Sequence, residues 1–223
     1  MKENDIKRLW GAESEPDSGI TKKINDLIED TAKLKAGHEL ESMRPMKIFA
    51  MIIAVFWVTG GIYLISNYFV FDPVKFPLMF TVSASVQIGL VLIALLIYLR
   101  QHILISQVDI TEPVAAAQQR ISELKTSTLL SARVLFLQLP VWTTFYWNNT
   151  IFENWEWYQW FIQITFTLLF AAAGLWLFFN LKYENRDKKW FRFIMGGSEW
   201  DPLMKAWDIL EEIKDNNLNA AGR

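Results

Sequence analysis

The amino-acid sequence predicts an all-α integral membrane protein with four transmembrane helices and three amphipathic cytoplasmic helices. Three observations carry that prediction. Four apolar stretches are each long enough to cross a bilayer, whose hydrocarbon core of about 30 Å takes about 20 residues in helical form. The charges cluster in three blocks, Met1 to Lys47, Arg100 to Arg133 and Lys182 to Arg223, and the segments between are nearly empty of them. Of the 223 residues 52% are hydrophobic and 15% aromatic, which sets the chain among membrane proteins and apart from soluble domains of equal length.

Residues 1–47 form the N-terminal cytoplasmic segment. IKRLW comes first, and the Gly, Ser and Pro of GAESEPDSG mark a break after it. In SGITKKINDLIEDTAKLKAGHELESMR, the residues Ile20, Ile24, Leu27, Ile28 and Leu34 recur at helical spacing, so an amphipathic helix is expected. Ser18 or Thr21 can cap its start, and Pro45 marks the passage into the membrane. A start this polar lacks the apolar core of a cleaved signal peptide, so insertion is expected through internal segments.

Residues 48–99 form the first membrane hairpin. Its spans are Ile48 to Phe71, which holds no charge, and Phe76 to Leu99, which stops at Arg100. Residues 100–133 return as a cytoplasmic amphipathic helix. Thr111 offers a capping hydroxyl, Glu112 an acidic first turn, and Pro113 sits where its missing N–H costs nothing. Val114, Ala117, Ile121 and Leu124 then repeat at three and four, a narrow stripe closer to a coiled-coil seam than to a globular core face.

Residues 134–181 form the second hairpin. The span Val134 to Phe152 carries Pro140 and Gln138, a proline being tolerated in membrane helices; the span Trp157 to Leu181 follows. Residues 182–223 are the cytoplasmic tail. YENRDKKWFRF mixes basic and aromatic residues, which suits the inner headgroup layer. After Gly196 and Gly197 a last helix, DPLMKAWDILEEIKD, puts Leu203, Ala206, Trp207, Leu210 and Ile213 on one face.

Orientation follows from the basic residues, which resist translocation. Nine Lys and Arg precede the first span, four lie between the second and third and eight follow the fourth, against Lys75 alone in the other two loops. Both termini of a multi-pass membrane protein are therefore expected on the cytoplasmic side. Tyr63, Tyr68, Phe69, Trp155, Trp157, Tyr158 and Trp160 fall near the outer boundary, as an interfacial belt does, in preference to a sugar-stacking platform.

Little chemistry is written in the spans. No Asp, Glu, Lys, Arg or His lies inside any of them, which argues against ion-coupled transport. Ser83, Ser85, Gln87, Gln138, Thr143, Thr144, Gln163, Thr165 and Thr167 read as interhelical hydrogen-bonding groups in preference to a substrate path. Gly60 with Gly61, Ser85 with Gly89, and Ala171 to Gly174 read as seams where helices approach closely. His38 and His102 lack the paired spacing of a zinc helix, and the chain has no Cys. No catalytic, cofactor-binding or metal-binding residue is expected, and a net charge of -2 does not suit nucleic acid. Glu153, Glu156, Asn148 and Asn149 are the residues that an outward lipid-acting site would use, and they are expected to be ordinary interfacial groups.

The stretch VDITEPVAAAQQRISELKTSTLLSARVLFLQLPVW, with IKRLW at the start, resembles a group of uncharacterised bacterial inner-membrane proteins of four helices with a short cytoplasmic N-terminal helix. Asp109, Pro113, Gln118, Leu124 and Trp142 match as structural positions. Such proteins are suspected of accompanying sigma factors, so the resemblance implies a membrane-held regulator. The zinc-ligating His and Cys pattern of the zinc-containing anti-sigma domain is missing, and the resemblance does not extend to that mechanism.

Three separate segments thus offer apolar stripes that must be covered. The expected function is a membrane-embedded regulatory adaptor whose cytoplasmic helices bind each other or a soluble protein through Ile20, Ile24, Leu27, Val114, Ile121, Leu124, Leu203, Trp207 and Leu210. The bilayer, a cytoplasmic protein and a second copy of the chain are its candidate partners. The competing expectation is a small oligomeric transporter or channel subunit with a path along Ser83, Gln87, Gln138 and Gln163.

Overall fold

A computed structural model describes residues 18–71, 78–107, 113–147, 149–197 and 199–221. Among these the regular structure is helical: α1 (Ser18–Ser42), α2 (Arg44–Phe71), α3 (Leu78–Ser106), α4 (Val114–Phe136), α5 (Leu139–Trp142), α6 (Asn149–Asn154), α7 (Trp157–Asn180), α8 (Lys189–Met195) and α9 (Trp200–Ala221). The IKRLW segment, Asp109, the capping group Thr111 and Asn148 lie outside the described residues.

Only Met43 separates α1 from α2. Pro45 has no N–H for the carbonyl four residues back, so the helical ladder is interrupted there and resumes with Lys47 N–H donating to the Met43 carbonyl at 3.1 Å. The helical stretch Asp26–Asn67, α3 and α7 are each long and apolar enough to cross a membrane. Their side chains stay bare: Phe56 is 74% exposed, Leu96 66% and Phe161 66%, surface that water would penalise and lipid would cover.

Helix boundaries depart from the sequence expectation in two places. Arg100 does not end α3, which runs on to Ser106. A basic residue stops a helix from translocating but does not stop it from being a helix. The segment Val134 to Phe152, expected as one spanning helix, is not continuous. Helix α4 crosses Arg133 and ends at Phe136, then come the four-residue α5 and a run of tight turns to Trp147. Pro140 removes one donor from the ladder, and the N–H groups of Leu137, Gln138, Thr143, Thr144 and Trp147 bond three residues back instead of four.

The chain nevertheless continues along its neighbours. Gln101 of α3 meets Ser127 and Ser131, Gln87 meets Gln138, and Ser83 meets Thr144. From Gln101 to Ser83 is about 18 residues, or about 27 Å at 1.5 Å per residue. The facing stretch covers that depth in about 13 residues counted from Ser131, or about 17 from Ser127, and its tight turns help because they rise about 2 Å per residue. On the other side, the position where a side chain on Gly174 of α7 would begin lies 2.8 Å from the Phe136 carbonyl oxygen, so only glycine lets the two backbones approach this closely.

The buried core lies at one end of the spans. Ala36 and Leu40 of α1, Met43 between α1 and α2, Ile105 of α3, Ala117, Ile121 and Leu124 of α4, Phe191 of α8 and Trp200, Leu203, Ala206 and Leu210 of α9 form one cluster. Helix α9 packs along α1 and also against α4, so the two outermost described helices meet side by side.

Candidate functional site

The lobe made by α1, α4 and α9 is where most of the sequence-selected residues converge. Ile121, Leu124, Leu203 and Leu210 are buried, and Val114 and Trp207 are half-buried against the same cluster. Ile20, Ile24 and Leu27 do not join them. They are 58%, 51% and 66% exposed, although α1 packs tightly on α9 through Ala36, Leu40 and Met43. The two faces of α1 lie on opposite sides at about 100° per residue. Polar contacts fix the arrangement: Gln118 Nε2 donates to the Leu210 carbonyl at 3.1 Å, and Lys205 pairs with Glu39 at 3.9 Å.

A polar node roots the lobe in the spans. Lys47, at the base of α2, is fully buried. Its Nζ donates to Gln101 Oε1 and reaches Glu199 Oε2 at 3.3 Å, and it lies 4.9 Å from the centre of the Tyr98 ring. Tyr98 OH donates to both oxygens of Glu199, at 3.0 and 3.2 Å. Gln101 Nε2 donates to Ser127 Oγ at 3.1 Å. Five side chains from α2, α3, α4 and the residue before α9 thus share one buried charge pair, as burying a lysine requires.

Lys125 of α4 carries the second buried ammonium, packed between two aromatic faces. Its Nζ is 3.7 Å from the centre of the Tyr183 ring and 3.8 Å from that of Trp207. Burial pushes this ammonium below the ordinary lysine range and the nearby Arg186 adds to the fall, while Glu211 and Asp208 pull the other way. The contact ties α4 to the turn after α7 and to α9.

Within the apolar layer the polar side chains bond chiefly to one another. Gln87 Nε2 donates to Gln138 Oε1 at 3.3 Å, and the hydroxyls of Ser83 and Thr144 are 2.8 Å apart. Gln163 Nε2 donates to the Thr143 carbonyl at 2.6 Å, its Oε1 accepts from Tyr146, and the hydroxyls of Thr143 and Thr167 are 2.9 Å apart. Of the expected path residues only Gln87 keeps a free buried atom, Oε1. Gln87 lies beside an apolar cleft of about 380 Å³ lined by Trp57, Gly60, Gly61 and Trp142.

Glu153 is exposed, and Glu156 accepts the first turn of α7 in a reciprocal cap with Gln159. His38 is exposed and His102 half-buried, on different helices.

Sequence reasoning missed the two lysines. Lys47 counted only as a flanking charge, and Lys125 only as one of the four basic residues between the second and third spans. The available signal for Lys47 was its place one residue before a span, level with Tyr98 and Gln101 at the matching end of the next. No protein-family model matches this chain, and no curated protein and no solved structure matches it.

Proposed function

We propose that this chain is a multi-pass regulatory adaptor of the bacterial cytoplasmic membrane, with both termini cytoplasmic, whose cytoplasmic helices bind one another and present the resulting lobe to a soluble protein. The observation that carries the reading is the closure of α1, α4 and α9, three segments far apart in sequence, into one lobe rooted on the spans through Lys47 and Glu199. A transporter has no need of such a lobe. An adaptor is little else.

Parity supports four crossings. Helices α1 and α9 pack together, which favours both ends of the described chain on one side of the bilayer and an even number of crossings. Three long helices supply three candidates, and the segment that follows α4, bonded to α3 at Gln87 and Ser83 and to α7 at Gln163, is our fourth. Basic residues support the cytoplasmic assignment, and α8 agrees with it. Phe193, 91% exposed beside Lys188, Lys189 and Arg192, has the makeup of a side chain set in the headgroup layer. The likeness to sigma-factor-accompanying membrane proteins favours regulation over transport.

The test uses tagged full-length protein purified from native membranes, beside versions lacking residues 1–43 or 198–215. A soluble protein recovered with the full chain and lost from both deletions is the expected result. Recovery of nothing above background, unchanged by the deletions, removes the reading. Single cysteines placed at Lys23, Lys189 and Glu153 check the orientation: the first two should react with an impermeant thiol reagent only after the cells are opened, the third before.

The alternative, a small oligomeric transporter or channel subunit, has one observation in its favour, the unpartnered Gln87 Oε1 at the edge of the apolar cleft.

A further inference from the structure

The adaptor reading leaves one surface bare, the row on α1 that faces away from α9. Ile20, Ile24, Leu27, Thr31, Leu34 and His38 recur at alternating steps of four and three, the spacing of a coiled-coil seam. All six are exposed. We propose that this row pairs with the same row of a second copy of the chain, as a parallel two-stranded coiled coil.

Three features single out this occupant. The residue types fit two parallel strands, with a β-branched Ile24 at the first core position of the heptad and Leu27 and Leu34 at the second. Thr31 spends its hydroxyl on the Leu27 carbonyl at 2.7 Å, which leaves its methyl group for the seam, and His38 supplies a polar core position of the kind that fixes register.

Charge agrees with the same register. Asp30 and Lys35 flank the seam on opposite sides, both exposed. In a parallel pair the flanking position before one core residue meets the position five further along the other helix, so Asp30 of each copy meets Lys35 of its mate, twice per dimer. The membrane supplies the third feature. Two copies inserted in the same sense send α1 out of α2 side by side and parallel, so the antiparallel arrangement is closed to them.

The seam spans about two and a half heptads, too short to hold isolated helices together in water. Here α9 already holds α1 helical, and confinement to a bilayer raises the local concentration of copies. This inference rests on the adaptor reading and extends it: the soluble partner would meet a lobe made by two chains.

The chain has no Cys, so each introduced thiol is the only one present. Full-length protein with a single cysteine in place of Ile24, Leu27 or Asp26 is oxidised in native membranes. The expected result is covalent dimer from Ile24→Cys and Leu27→Cys, several-fold more than from Asp26→Cys, which lies exposed but off the seam. In the Leu27→Cys background, Asp30→Lys should lower the yield several-fold and Asp30→Lys with Lys35→Asp should restore it, a rescue that a folding defect would not give.

Equal yields at all three positions, no dimer at the two seam positions, or failure of the double exchange overturns the proposal. Cross-linking of the Leu27→Cys variant to a different protein also overturns it while leaving the adaptor reading intact. Shielding of both seam thiols from an aqueous reagent without any dimer, which would mean that the row rests on lipid, overturns it too. Capture of a soluble protein by the full chain in the absence of self-pairing separates the fate of this inference from that of the adaptor.

Discussion

The Lys47 ammonium lies 3.3 Å from the Glu199 carboxylate across 152 residues of sequence, and it is the more deeply buried of the two, with its side chain 0% exposed against 20%. The pair is therefore unequal. Losing the carboxylate strands a buried cation, whereas losing the lysine leaves an anion with Tyr98 and some water still available to it.

Glu199→Leu should accordingly cost about 3 kcal/mol and Lys47→Met about 1 kcal/mol. The double variant should recover most of the loss of Glu199→Leu. Thermal unfolding of the detergent-solubilised protein measures all three. A double variant no more stable than Glu199→Leu would mean that the pair does not carry this energy.

Lys125 makes stability depend on alkaline pH. Its pKa is lowered in the folded state, so at pH values between that lowered pKa and the unfolded value of about 10.4 the unfolded chain holds the extra proton, and stability rises with pH through that window. The slope should shrink in Lys125→Met, read by unfolding curves at a series of alkaline pH values. An identical slope in the variant would assign the effect to other groups.

Gln163 holds three partners in the apolar layer: Tyr146, the Thr143 carbonyl and Thr167. Gln163→Leu should lower stability by about 1–2 kcal/mol, since such bonds contribute about 0.6 kcal/mol on average and up to about 1.7. Liposomes carrying wild type, Gln138→Leu or Gln163→Leu should show no difference in solute flux. A flux that the wild type supports and the variants lose would revive the transporter alternative.

Gly174 and Gly60 should respond oppositely to alanine. A side-chain carbon at Gly174 meets the Phe136 carbonyl oxygen at 2.8 Å, and backbone cannot step aside, so Gly174→Ala should cost about 1–3 kcal/mol. A side-chain carbon at Gly60 would meet nothing within 4 Å beyond its own helix backbone, and Gly60→Ala should be neutral or gain up to about 1 kcal/mol from helix propensity. Equal melting temperatures for the two variants would contradict the close contact of α7 with the end of α4.

Much of this fold was legible because apolar length is a local property. Residues 48–71, 76–99 and 157–181 announce their helices in one window each, and Pro202 after the paired glycines announces α9. The segment from Val134 to Phe152 was harder, since its course depends on what lies beside it. Pro140 breaks the ladder, and bonds to Gln87, Ser83, Gln163 and Thr167 hold the stretched chain to α3 and α7. Charge misled at Arg100 and Arg133, where helices run through. The stripe on α1 was legible as a stripe, but Ala32 and Ala36 on the far side are small and weakly hydrophobic, so nothing local showed that they form the packed face. Lys47 and Lys125 needed tertiary structure to be seen, because only partners supplied from elsewhere in the chain make their burial tolerable.

The separation of Lys47 from Glu199 also sets an order of events during synthesis. Translation at about 5–20 residues per second leaves an interval of roughly 8–30 s between the two residues. Through that interval the base of α2 must keep its ammonium in the hydrated headgroup zone, and α1 emerges without the helix it packs on. The lobe therefore closes last, after the long apolar helices have been made, because its root is incomplete until Glu199 is present.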